Sequence, residues 1–109
     1  MIRNRRNPIN SMLKDIGATD KMIEEAEKSK IRYFREGRDV YFYIVESPVG
    51  VQAFHGVSIW HHAGDFVCSC ERFVIEKKIC SHVVSALIDL SKKFGQDWLK
   101  EIIRKLYCS

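Results

Sequence analysis

The spacing of apolar positions changes twice along the chain. From Pro8 to about Ser29 they recur every three or four residues. From Ile31 to about Ser69 they alternate or run in short blocks, and from Val83 onward the wider spacing returns. That succession predicts helices, then strands, then helices. Ile9, Met12, Leu13 and Ile16 place a short helix over Pro8–Ile16, with Asn7 before a proline suited to the first helical position and Gly17 to end it. Thr19 or Asp20 caps a second helix running to about Ser29, whose apolar stripe is Met22, Ile23 and Ala26 and whose Glu24, Glu25, Glu27 and Lys28 face water. The two read equally as one helical hairpin.

Four strands follow: Ile31–Glu36, Asp39–Ser47, Val51–Trp60 and Asp65–Ser69. Gly37-Arg38, Pro48-Val49-Gly50 and His61-His62-Ala63-Gly64 separate them. Connections this short imply an antiparallel meander. Tyr33, Phe34, Tyr41, Phe42, Tyr43, Phe54 and Trp60 crowd these strands. Packing within the sheet and core explains most of them, since aromatic residues favour strands. A platform on which bases stack has the same pattern.

The next helix, Val83 to about Phe94, turns Val83, Val84, Leu87, Ile88 and Leu90 toward the sheet and Ser85, Asp89, Lys92 and Lys93 outward, and Phe94-Gly95 stops it. A last helix, Gln96–Tyr107, carries Trp98, Leu99, Ile102, Ile103 and Leu106 on one stripe, with Lys100, Glu101, Arg104 and Lys105 outside. The stripe docks on the core or serves a partner or dimer surface. The expected fold is α+β: an antiparallel meander of about four strands with N-terminal helices, then a metal-anchored helix and a C-terminal helix.

With 109 residues, 46% hydrophobic and 29% charged, the chain suits one globular domain with one small core. Its expected parts are a basic arm and helices (1–29), the meander (30–65), a metal-binding segment (66–90) and the terminal helix (96–107). No apolar run approaches the roughly 18 residues of a membrane span, and no signal-peptide pattern opens the chain. An intracellular location, cytoplasmic or nuclear, is therefore expected. The formal charge of +4 permits contact with nucleic acid without requiring it.

The chemistry concentrates in Cys68-Ser-Cys70 and Cys80-Ser-His82, which read C-x-C, nine residues, then C-x-H. Three thiols and an imidazole in one window are the donor set of a structural Zn²⁺ site. In a strand, Cys68 and Cys70 point to one side. On a helix, Cys80 and His82 would point apart, so Cys80 belongs just before the helix and His82 in its first turn, with Ser81 as N-cap. Three thiolates and Zn²⁺ leave a charge of −1, which Arg72, Lys77 and Lys78 offset. A chance cluster of buried cysteines and a disulfide are the alternatives, the latter disfavoured in a reducing compartment. His55 reads as a packed strand residue, and His61 and His62 as exposed turn residues. Any of the three is an alternative to His82 as the fourth ligand. Cys108 has no spaced companion and reads as a free thiol.

The C-x-C…C-x-H order, with its second pair opening an apolar helix, resembles the SWIM zinc finger over about Phe66 to Leu90. The resemblance implies a small β-β-α module with Cys68, Cys70, Cys80 and His82 as zinc ligands and a role in binding DNA or other proteins. Small SWIM proteins that assist RecA-like recombinase paralogs often carry alanine three residues after the ligand histidine; here that position is Ser85, followed by Ala86. The resemblance further implies a protein partner, of which such a recombinase paralog is one candidate, and a setting in recombination or repair.

No enzyme is expected, because four protein ligands close a zinc site to water and no catalytic motif stands out. The expected function is a non-catalytic adaptor that docks a protein and also touches DNA, with a homodimer as one further arrangement. The alternative is a module that binds nucleic acid without sequence preference. Arg3, Arg5 and Arg6 on the arm, Arg72, Lys77 and Lys78 by the metal, and Lys92 and Lys93 at the helix end would then meet phosphates.

Overall fold

A computed structural model describes residues 8–47, 54–70 and 79–108. The described elements are α1 (Pro8–Asp15), α2 (Asp20–Lys28), β1 (Lys30–Glu36), β2 (Val40–Glu46), β3 (Phe54–Trp60), β4 (Asp65–Cys68), α3 (Ser81–Phe94) and α4 (Gln96–Cys108). This is the expected α+β arrangement. Pro48-Val49-Gly50, the start of the third expected strand and the stretch after Cys70 lie outside the described residues.

The sheet is antiparallel in the order β1-β2-β3-β4, so each strand lies beside its sequence neighbour. Tyr41 pairs with Ile59, Tyr43 with Val57 and Val45 with His55 between β2 and β3, and Val57 pairs in turn with Cys68 of β4. Burial alternates strictly along β2: Tyr41, Tyr43 and Val45 are buried and their neighbours are half-buried. Among the described residues, the helices lie on that inner face.

α3 is the central helix. His82 through Leu87, Leu90 and Ser91 are all buried, so burial runs almost around the helix. The sheet lies on one side of it, and α1, α2 and α4 cover the others. Ser85, expected to face outward, is therefore buried at 6% exposure. A stripe read for one neighbouring layer does not hold for a helix packed on several sides. Asp89, also expected outward, is half-buried and accepts a hydrogen bond from Tyr43 Oη at 2.7 Å. Leu99, Ile102 and Ile103 of α4 are buried in the same core, so the terminal stripe docks inward. Ile79 joins them beside the metal segment.

The helix ends follow local chemistry. Thr19 caps α2, its hydroxyl accepting from Met22 N–H at 3.1 Å. Gly17, with φ of 101°, turns the chain out of α1 in a conformation side chains disfavour. The N-cap of α3 is Cys80 rather than Ser81, which is already helical. No described helix is long and apolar enough to cross a membrane.

Candidate metal centre

β4 ends at Cys68, whose side chain is on the inner face because its partner Val57 is. Ser69 then locks the chain to β3. Its N–H donates to Gly56 O at 3.0 Å, and its Oγ accepts from Gly56 N–H at 3.0 Å. That two-way bond sits between the thiol-bearing residues and fixes where Cys70 emerges. Its only trace in the sequence is a small polar residue between two cysteines.

Cys80 is extended, with φ −127° and ψ 170°, and its side chain makes no cap hydrogen bond, which leaves the sulfur for the metal cluster. His82 follows within the first turn of α3. The ligand atoms of Cys68, Cys70, Cys80 and His82 all lie within 4.8 Å of one another, and all four residues are buried. The three cysteines are not joined as a disulfide.

The imidazole is oriented from two sides. Its Nδ1 faces Cys68 Sγ at 3.7 Å. Tetrahedral Zn²⁺ with ordinary bond lengths separates sulfur and nitrogen ligands by about 3.6 Å. The residues present therefore fit zinc in both donor type and spacing. Against the face of the His82 ring stacks His55, centroid to centroid 4.0 Å at 29°. His55 thus supports the ligand ring, and His82 belongs to the cluster. His61 is half-buried rather than exposed: its ring lies against Tyr41, and burial holds its pKa down, assisted by the charge of His62. His62 is exposed, as expected, 3.8 Å from Asp39.

The thiols share their protons unequally. Cys80 is drawn down from the usual thiol range, first because Cys68 donates a hydrogen bond to it, with a further contribution from His82. Cys68, the donor and buried, is pushed up. A sulfur beginning a helix favours its thiolate form. Bound Zn²⁺ takes all three as thiolates and joins the end of β4 to the start of α3.

Arg72, Lys77 and Lys78, expected to soften the residual charge, lie outside the described residues, as do Arg3, Arg5 and Arg6 and the Cys108 side chain. Among the described residues, Lys21 is a cation beside the cluster. With Thr19, Met22 and Glu25 it lines an open cleft of about 470 Å³ that reaches Cys70, Cys80 and His82. Lys92 and Lys93 are exposed at the end of α3, and Lys93 lies 3.6 Å from Asp89 and over the ring of Phe34. Among the described residues, no second group of metal-binding side chains forms.

No curated protein and no solved structure matches the chain. Residues 67–91 match the family model of the SWIM zinc finger, and Cys68, Cys70, Cys80 and His82, gathered in position to bind a metal, all lie inside that span.

Proposed function

We propose that the chain is a non-catalytic binding module in which zinc holds the fold and the surface engages nucleic acid through phosphate contacts. The observation that carries this reading is the closed, buried Cys₃His cluster. Four protein ligands fill a tetrahedral ion and leave no position for an activated water. The work then falls to the outside of the molecule, and over the whole sequence basic residues exceed acidic ones by 18 to 14. Exposed Lys92 lies in the last turn of α3 and itself makes no ion pair among the described residues.

The adaptor reading rests on the apolar stripe of the last helix. Leu99, Ile102 and Ile103 commit that stripe to the core, so we rank nucleic acid first and a protein partner second. A RecA-like recombinase partner and a recombination or repair setting are implied by the family resemblance alone.

The test is titration of zinc-loaded protein with labelled DNA at several salt concentrations. Phosphate contacts release counterions, so affinity should fall steeply, with a log–log slope near one per contact. No binding at low salt, or binding indifferent to salt, would overturn the nucleic-acid reading and return the adaptor to first place.

A further inference from the structure

We infer that the face of the sheet that no described helix covers is a stacking platform for single-stranded nucleic acid, an inference that rests on the nucleic-acid reading above. The register places three aromatic side chains on one diagonal of that face. Trp60 of β3 pairs with Val40. Phe42 of β2 pairs with Ser58, two residues along. Tyr33 of β1 pairs with Ile44, two residues further along. Each step crosses one strand and advances two residues, which sets neighbouring side chains about 8 Å apart. The line runs across three strands; Phe42 and Trp60 alternate with buried inner-face residues, and Tyr33 precedes half-buried Phe34 on β1.

Tyr33 is 47% exposed and Trp60 42%. Phe42 lies between them, edge-on to Tyr33 with ring centroids 6.3 Å apart. Gly56 leaves its side-chain space to the Phe42 ring, whose nearest atoms stand 3.5 Å from where a Cβ would be. The ring is thus laid across the sheet surface.

Charge selects the occupant. Arg35 stands beside Phe42 in the register and two residues from Tyr33 on β1. It is exposed and has no ion-pair partner among the described residues. Glu46 on the same face is already held by Arg32. Aromatic rings flanked by an unpaired guanidinium suit bases that stack and a phosphate that needs a cation. Asp65 pairs with Trp60 and places a carboxylate at that end of the face, so the cation for a phosphate stands at the Phe42–Tyr33 end of the diagonal. Duplex DNA hides the faces of its bases from such a surface. DNA and RNA single strands share the recognised chemistry.

The experiment measures anisotropy of labelled oligo-dT, oligo-U and a DNA duplex with the zinc-loaded full chain, for wild type, Tyr33→Ala, Trp60→Ala and Arg35→Ala. The three sites are exposed, and melting curves check that folding is intact. We expect single strands to bind tighter than duplex. Each aromatic substitution should weaken single-strand binding about 5- to 100-fold. Arg35→Ala should lower the salt slope by about one. A second readout is Trp60 fluorescence in Trp98→Phe, which should quench as the strand binds. A preference for oligo-dT or oligo-U then identifies the source of the strand. If single strands bind but the aromatic variants bind them equally well, the platform is overturned and the broader reading stands. If no oligonucleotide binds, both fall.

Discussion

Cys80 has an extended backbone and α3 opens on the next residue, so the position that caps the helix also carries a metal ligand, whose side chain makes no cap hydrogen bond. Cys80→Ser tests which duty matters more. Serine is a good N-cap and would stabilise the helix start by about 1 kcal/mol. Structural zinc contributes roughly 10–16 kcal/mol of binding free energy in small finger peptides. The metal outweighs the cap, so Cys80→Ser should lose its zinc and melt at lower temperature despite the improved capping. Metal analysis and thermal melting check this, and Cys70→Ser should behave alike. The spacing of the two pairs makes these four ligands legible in the sequence. It does not show that Cys80 rather than Ser81 begins the helix, because capping preference ranks serine above cysteine and ignores the demand of the metal. Nor does spacing choose among four histidines as firmly as geometry does: His55 stacks on the ligand ring, and the strand pattern alone marks it only as packed. A second residue makes a separate prediction. Buried Tyr43 donates to Asp89, and burial followed by that hydrogen bond raises its pKa above the ordinary 10. The folded state thus keeps the phenol protonated more strongly than the unfolded chain. This contribution is complete below pH 10 and declines as pH climbs above it. Tyr43→Phe should cost about 1–2 kcal/mol at neutral pH. Above pH 10 the gap between variant and wild type should narrow in denaturation curves.

Among the elements, α3 differs most from its expected role. Its apolar stripe points to a helix on a sheet, and Val83, Val84, Leu87 and Leu90 are indeed buried. The small residues Ser85, Ala86 and Ser91 carry the rest of the message: they let other helices approach. Serine counts as polar in a pattern, so the remaining buried sides stay hidden. Apart from the start of the third, which lies outside the described residues, the strands are legible to within a residue or so because β2 alternates cleanly and short turns leave little choice of pairing. Two substitutions test the packing around them. Leu99 of α4 is fully buried, and Leu99→Ala should destabilise by about 2–5 kcal/mol, read from denaturant midpoints. Gly64, in the β3–β4 turn, has φ of +69° and lies against α4, so an added Cβ would overlap Cβ of Lys105. Backbone strain and overlap act together there, and Gly64→Ala should cost about 2 kcal/mol or more. The turn is held to α4 without the metal, so zinc content of that variant should stay unchanged.

At the scale of the molecule, one face of the sheet is covered and the other carries Tyr33, Phe54, Trp60 and Val67 in the open. A domain of this size has a net stability of about 5–15 kcal/mol, which a single structural ion can match. β4 has only four residues and, among the described strands, one neighbour, β3. Zinc supplies its second attachment, to α3, and through α3 to α2 and α4. Chelation should therefore lower the melting temperature of the whole chain rather than loosen the finger alone, and returned zinc should restore it. Native mass spectrometry tests the central claim most directly, since it weighs metal and subunits together. The account predicts one zinc per chain in the purified protein and none in Cys80→Ser. A folded wild-type protein that carries no zinc and takes up none when it is supplied would contradict it.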